Sequence, residues 1–286
     1  MTDAATHVSG TGIRPRRAAL IYLYSSLIIV AAVVVIPLAM TALGGFKTLG
    51  ELRTNAFGLP NEWQWQNYSD IFLSQRYWLQ MWNSIVLAVL TVVITVICAA
   101  MAAYVFAHVR FFGASHLLNY FLLGLMFPAA TAILPLFIRI RDLGLINTYM
   151  GVVLPQAAFG LAISILLFRN YFRKMPHELF EAAFVDGCGY LRFFWHVTLP
   201  LSRPILATVA IIAFVGSWNS YILPLILLNS QDMYPWPLGL MVYRGEFSTE
   251  WQLVLAFISL TILPTIIVFF AAQKHIIAGL TAGAVK

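Results

Sequence analysis

The chain has 286 residues, 61% of them hydrophobic and only 10% charged, with a formal net charge of +6. A soluble fold of this length cannot hide so much apolar surface, and soluble domains carry about 25% charged residues. The composition therefore excludes a soluble globular protein and implies an all-α, polytopic membrane protein solvated by the lipid bilayer. Its basic balance is explained below by topology and calls for no nucleic acid.

Residues 1–19 form a polar tail with Arg14, Arg16 and Arg17. The apolar run from Leu20 to about Leu43 is too long for a secretory signal core and reads as an uncleaved first span. Residues 44–80 form an exposed loop whose Trp63, Trp65 and Tyr68 suit a membrane–water interface. Further spans are expected at about 81–107, 117–138, 149–168, 205–228 and 251–272, giving a six-helix membrane domain over 20–272. A second exposed loop covers 229–250, and a tail runs from Gln273 to Lys286.

Six spans put both termini on one side. Arg14, Arg16, Arg17, Arg110, Arg169, Arg173, Lys174, Arg192, Arg203, Lys274 and Lys286 fall on that side. Lys47, Arg53, Arg76, Arg139, Arg141 and Arg244 fall on the other. The excess of Lys and Arg predicts that both termini are cytoplasmic.

No Asp, Glu, Lys or Arg lies deep in any predicted span, which argues against a proton- or ion-coupled carrier. Pro37, Pro128, Pro135, Pro155, Pro224 and Pro264 fall within spans; they are either ordinary membrane-helix prolines or kinks along a moving path. Polar side chains in the spans are few, among them Asn83, Ser84, Thr91, Thr95, Gln156, Ser164 and Ser217. The densest polar and aromatic group is Trp218-Asn219-Ser220-Tyr221. With Asn83 it is a candidate translocation path; packing between helices explains it equally well.

Familiar reaction motifs are missing. There is no GxxxxGK[ST] phosphate loop, no HExxH and no GxSxG elbow. Cys98 and Cys188 have no metal-like spacing and predict neither a disulfide nor a metal site. The histidines read as solvated or interfacial groups. No enzyme activity is expected of the chain itself.

Residues 175–204 stand out as the longest water-facing folded stretch. Pro176 suits a first helical turn, Glu178 and Glu181 complement the positive helix N-terminus, and Leu179, Phe180, Ala182, Ala183 and Val185 give an apolar face. Gly187 and Gly189 break that helix, a second runs from Tyr190 to Val197, and Pro200 and Pro204 mark re-entry to the next span. The result is a knob of two short helices that a partner can grip.

Within the knob, Glu181-Ala182-Ala183, Asp186-Gly187 and Leu199-Pro200 have the spacing of the EAA loop, with Val197 in its apolar place. The chain resembles the MalG-like permease subunits of binding-protein-dependent ABC sugar importers. Asn67-Tyr68, Asn83-Ser84, Leu143-Gly144-Leu145, Trp218-Asn219 and the stretch from Gln273 to Lys286 extend that resemblance over almost the whole sequence. Cys188 departs from it where alanine is usual, as does the end at Lys286 where a final glycine is common. The resemblance implies a type I importer permease of a bacterial cell membrane. Glu181, Ala182, Ala183, Asp186, Gly187, Leu199 and Pro200 would couple to a cytoplasmic ATPase dimer, and Gly279, Gly283 and Lys286 would reach the same partner. ATP and its Mg²⁺ would sit on that partner. A second, MalF-like permease would supply the other half of the path, and an extracytoplasmic solute-binding protein would meet loop 229–250. An importer for another solute, such as a glycerophosphodiester, is the alternative within the class. An ion-coupled carrier or a membrane scaffold leaves the EAA spacing unexplained.

Overall fold

The computed structural model describes residues 17–126, 128–245 and 248–284, with side chains described for 20–126, 128–245, 248–270 and residue 273. Among the described residues the regular structure is helical, apart from an isolated bridge between Arg244 and Thr249. The α-helices are α1 Arg17–Gly45, α2 Leu49–Thr54, α3 Trp65–Leu73, α4 Gln75–His108, α5 Ala114–Leu123, α6 Ile133–Asp142, α7 Tyr149–Phe172, α8 His177–Val185, α9 Tyr190–Phe193, α10 Leu199–Leu201, α11 Arg203–Trp218, α12 Ile222–Leu227, α13 Trp236–Gly239 and α14 Trp251–Ala284.

Four helical stretches are long and apolar enough to cross a membrane: Leu20–Gly45, Gln75–His108, Tyr149–Phe172 and Trp251–Phe270. They match the first, second, fourth and sixth predicted spans. Local chemistry sets their starts. The Ser74 hydroxyl accepts from the Tyr77 N–H and opens α4 six residues before the expected Met81; the Thr148 hydroxyl accepts from the Gly151 N–H at the head of α7. At 1.5 Å per residue the 34 residues of α4 extend roughly 50 Å, beyond a hydrocarbon core of about 30 Å.

The third and fifth predicted spans are not single helices. In the third, α5 stops at Leu123 before Gly124, a 3₁₀ turn covers Ala129–Ala132, and α6 begins at Ile133. Pro128 lacks an N–H, and Pro135 fits only because it falls in the first turn of α6. In the fifth, α11 ends at Trp218 and α12 begins at Ile222, with Pro224 in its first turn. By contrast, Pro37, Pro155 and Pro264 lie inside continuous helices. Broken helices persist at membrane depth where protein or a cavity satisfies the freed backbone groups. At the opposite terminus, α14 runs through Ala284 without a break at 272. Gly279 and Gly283 therefore lie on a helical extension, and Lys286 falls outside the described residues.

Helices α4 and α7 lie against each other, α11 packs on both, and α14 closes on α11, α1 and α3. Buried small residues permit this approach: Ala99, Ala100 and Ala103 on α4, and Gly151, Ala157 and Ala162 on α7. Helix α1 contacts α14 and leaves Ile21 to Leu38 largely exposed. That surface suits lipid.

Candidate functional site

Three regions lie along the bundle: the knob at one end, a tied-down loop at the other, and a cavity between them. In the knob, Pro176 stands at the N-cap of α8, one place before the predicted first turn, and Glu178 lies in the first turn. The far end of α8 is a Schellman cap. Gly187 has φ +74°, its N–H donates to the Phe184 carbonyl (3.0 Å), and the Cys188 N–H donates to the Ala183 carbonyl (2.8 Å). Gly187 is required because an L side chain is strained at that φ. Ala183 and Cys188, joined by this cap, both pack on the core beneath.

Aromatic rings fasten the knob to the bundle. Phe180 stacks on His108 of α4 (centroids 5.7 Å, interplanar 9°) and meets the Phe193 ring edge-on at 5.1 Å. The Tyr104 hydroxyl of α4 donates to the Tyr190 carbonyl (3.0 Å), and the Tyr171 hydroxyl of α7 donates to the Leu201 carbonyl (3.1 Å). The second helix of the knob is not uniform. After α9 a π turn covers Phe194–Thr198, and the run Tyr190–Leu201 meets α11 at an 81° bend. Pro200 has no N–H to return to the helix, which accounts for the irregular register before it.

The outward face of the knob carries Glu181, Ala182, Asp186, Gly187 and Pro200, all exposed, whereas Ala183 and Leu199 are half-buried. Glu181 lies 3.1 Å from His177 on this wet surface. Val185 is 88% exposed and Leu191 68%. The face is thus apolar with carboxylates at its edge, and it offers a partner both contact area and charge.

At the opposite end the chain is held by side-chain amides. The fully buried Asn83 amide donates to the carbonyls of Asp232 (2.8 Å) and Tyr234 (3.1 Å), and its Oδ1 accepts from the Tyr149 hydroxyl (2.7 Å). Asn147, at φ 57°, accepts through Oδ1 from the N–H groups of Asn229 and Ser230. The Ser84 hydroxyl accepts from the Trp236 N–H, the Trp236 indole donates to the Trp218 carbonyl, and the Arg76 guanidinium donates to Gln231. Nearby, Tyr68 donates to the Ala42 carbonyl, and burial raises its pKa above the ordinary phenol value although Ser259 pulls it down.

Between the ends, α4, α7, α11 and the α11–α12 break enclose a cavity of about 310 Å³, lined by Thr91, Gln156, Gly160, Ser164, Ser217 and Ser220 among others. Gln156 Oε1 accepts from the Thr91 hydroxyl (2.9 Å) and the Ser217 hydroxyl (2.7 Å), and its buried amide nitrogen has no partner. The sequence-based candidates are distributed differently. Asn83 is tied to the 229–236 segment. Trp218 is buried against Phe214 and Trp236. Asn219 is exposed, with its amide on the Val215 carbonyl, and Tyr221 caps α12. None of these four lines the cavity. Gln156 was visible in sequence as an amide in an apolar helix, but its partners lie 61 and 65 residues away.

A helical membrane bundle with a cavity midway that carries a few polar side chains in a mostly apolar wall, and a gripping knob at one end, is the architecture of a transporter's permease subunit. Residues 95–281 match the family described as binding-protein-dependent transport system inner membrane component, and the chain belongs to that family. It is 32% identical over 262 residues to the diacetylchitobiose uptake system permease protein NgcG of Streptomyces coelicolor, covering 91% of this chain and 87% of that protein. It is 35% identical over 261 residues to the arabinooligosaccharides transport system permease protein AraQ of Halalkalibacterium halodurans, covering 90% and 93%. Its fold is also similar to a bacterial ABC transporter involved in importing the acidic polysaccharide alginate, with a TM-score of 0.78, 25% identity, and 91% and 98% of the two chains covered.

Proposed function

We propose that this permease forms half of the translocation path of an ATP-driven importer for an oligosaccharide, and that 175–204 is its coupling loop. The observation that carries the reading is α8: a helix capped at Gly187, exposed on its EAA face, and fastened by ring contacts to α4 through His108 and to α9 through Phe193. A push on such an element is transmitted to α4 and, across the 81° bend, to α11. Glu181, Ala182, Ala183, Asp186 and Gly187 would seat in an ATPase subunit, with Leu199 and Pro200 shaping the return. Hydrolysis would occur on that separate ATPase dimer, which holds ATP and Mg²⁺. Gly279, Gly283 and Lys286 would approach the same dimer.

The oligosaccharide assignment is supported by the relatives named above and by the cavity chemistry. An amide joined to threonine and serine hydroxyls in the cavity wall is the kind of polar cluster that suits sugar hydroxyl groups. The substrate path assigned here runs past Gln156, Thr91, Ser217 and Ser220. A second, related permease would supply the facing wall, and an extracytoplasmic solute-binding protein would dock on 229–250. The Lys and Arg asymmetry supports an inner membrane location with the knob and both termini cytoplasmic. The test is to purify the chain with its companion subunits and measure ATP-dependent uptake of labelled oligosaccharides into proteoliposomes. Uptake that requires a separate ATPase supports the reading; uptake driven by an ion gradient without ATP overturns it.

A further inference from the structure

A second cavity, of about 770 Å³, lies beside α8, where the ends of α4 and α7 meet the start of α5. Its lining includes Arg110, Arg169, Arg173, His108 and His177, and no carboxylate. The nearest acid fixed to any of these groups is Glu181, which meets His177 from the outward face of α8. Among the described residues, none of the three arginines has a carboxylate partner within 4.0 Å. Three guanidinium groups gathered in one cleft repel each other unless an anion joins them.

Other features aim the cavity at such an anion. Arg169 is steadied by donating to the Phe106 carbonyl (3.3 Å), and His108 Nε2 is buried with no partner. The first turn of the ten-residue α5 has no side-chain cap; the Ala114 N–H donates to the Phe111 carbonyl, and Ser115 of the same turn lines the cavity. Apolar side chains share the lining with the arginines: Phe106, Val109, Phe111, Leu118 and Leu122. Aromatic side chains at a helix end beside clustered arginines fit the boundary between headgroups and acyl chains. Acyl chains can pack on that apolar lining, whereas a soluble anion cannot.

We propose that the phosphate of an anionic phospholipid headgroup occupies this cavity and braces α8 against α4 and α5. Phe180 connects the two sites physically, since it lines the cavity and also stacks on His108. The lipid would thereby set how firmly the coupling loop is held. This inference rests on the knob facing the cytoplasm and the motor.

The assembled transporter is placed in nanodiscs of phosphatidylcholine alone or with phosphatidylglycerol. Native mass spectrometry reads the retained lipid, and ATP hydrolysis is compared between the two bilayers. The wild type should retain phosphatidylglycerol and hydrolyse ATP faster in its presence. Arg110→Gln with Arg173→Gln should lower headgroup affinity by roughly fivefold per arginine and abolish the stimulation, leaving the rate in phosphatidylcholine unchanged. The Lys–Lys pair at the same positions should restore most of the retention. Equal retention and stimulation in wild type and the Gln pair overturn the proposal. So does inorganic phosphate binding to the detergent-solubilised complex with no lipid retained, which assigns the cavity to a soluble anion. Loss of the ATPase subunit from the Gln pair also overturns it, by assigning the arginines to a protein contact. A wild-type preparation with no ATPase subunit at all sinks the functional reading instead, and lipid retention remains measurable in it.

Discussion

The two ends of this permease are held by different physics. The 229–236 segment is fixed by directional hydrogen bonds: the Asn83 amide donates to the Asp232 carbonyl, and Ser84 and Asn147 accept from the Trp236 and Asn229 N–H groups. The knob is held chiefly by ring packing, with Phe180 against His108 of α4 and against Phe193 and Tyr190 of α9, and by only two hydroxyl-to-carbonyl bonds, from Tyr104 and Tyr171. Amides allow one arrangement, because a shifted segment leaves buried polar atoms unpaired at about 1–3 kcal/mol each. Aromatic contacts tolerate sliding and rotation at small cost. The first arrangement suits a preformed docking platform and the second suits a lever that must move while attached.

Substitutions can break this contrast from either side. Gly187→Val forces a β-branched side chain to φ +74°, at roughly 1–2 kcal/mol of strain or more. It should cut ATP-driven uptake by about tenfold or more while binding-protein docking persists; pull-down and uptake on the same preparation check both. Asn83→Leu should do the reverse. It leaves two carbonyls and the Tyr149 hydroxyl unpaired, so affinity for the binding protein should fall roughly tenfold with the ATPase still seated, as titration of the purified complex reads. Gln156→Leu should spare both ends and lower uptake about fivefold by dismantling the Thr91–Gln156–Ser217 cluster in the cavity wall; unchanged uptake kinetics remove Gln156 from the path. Asn219→Leu should have the smallest effect, since its amide bonds only its own helix, and uptake should stay within about twofold.

The contrast also explains what could be read from sequence. The four continuous spans were legible because long apolar runs have one solution in a bilayer. The knob was legible because Gly187 and the prolines punctuate it at fixed spacing, and Gly187 does take a conformation that favours glycine. The breaks in the third and fifth spans were not, because Pro37 and Pro155 sit in continuous helices while Pro128 and Pro224 adjoin breaks. Only packing partners decide between those outcomes. Asn83 looked like a path residue because an amide in a span is costly; that the amide is satisfied by Asp232 and Tyr234 requires contacts 149 and 151 residues away. The Thr91–Gln156–Ser217 cluster was hidden for the same reason.

Site-specific crosslinking from the two ends tests the central claim most directly. A photoreactive group at Val185 and another at Asp232 are installed separately in the assembled transporter. Val185 should capture the ATP-hydrolysing subunit, and Asp232 should capture the solute-binding protein. Capture of the binding protein from Val185, or of no ATPase from the knob in a complex that contains one, contradicts that claim.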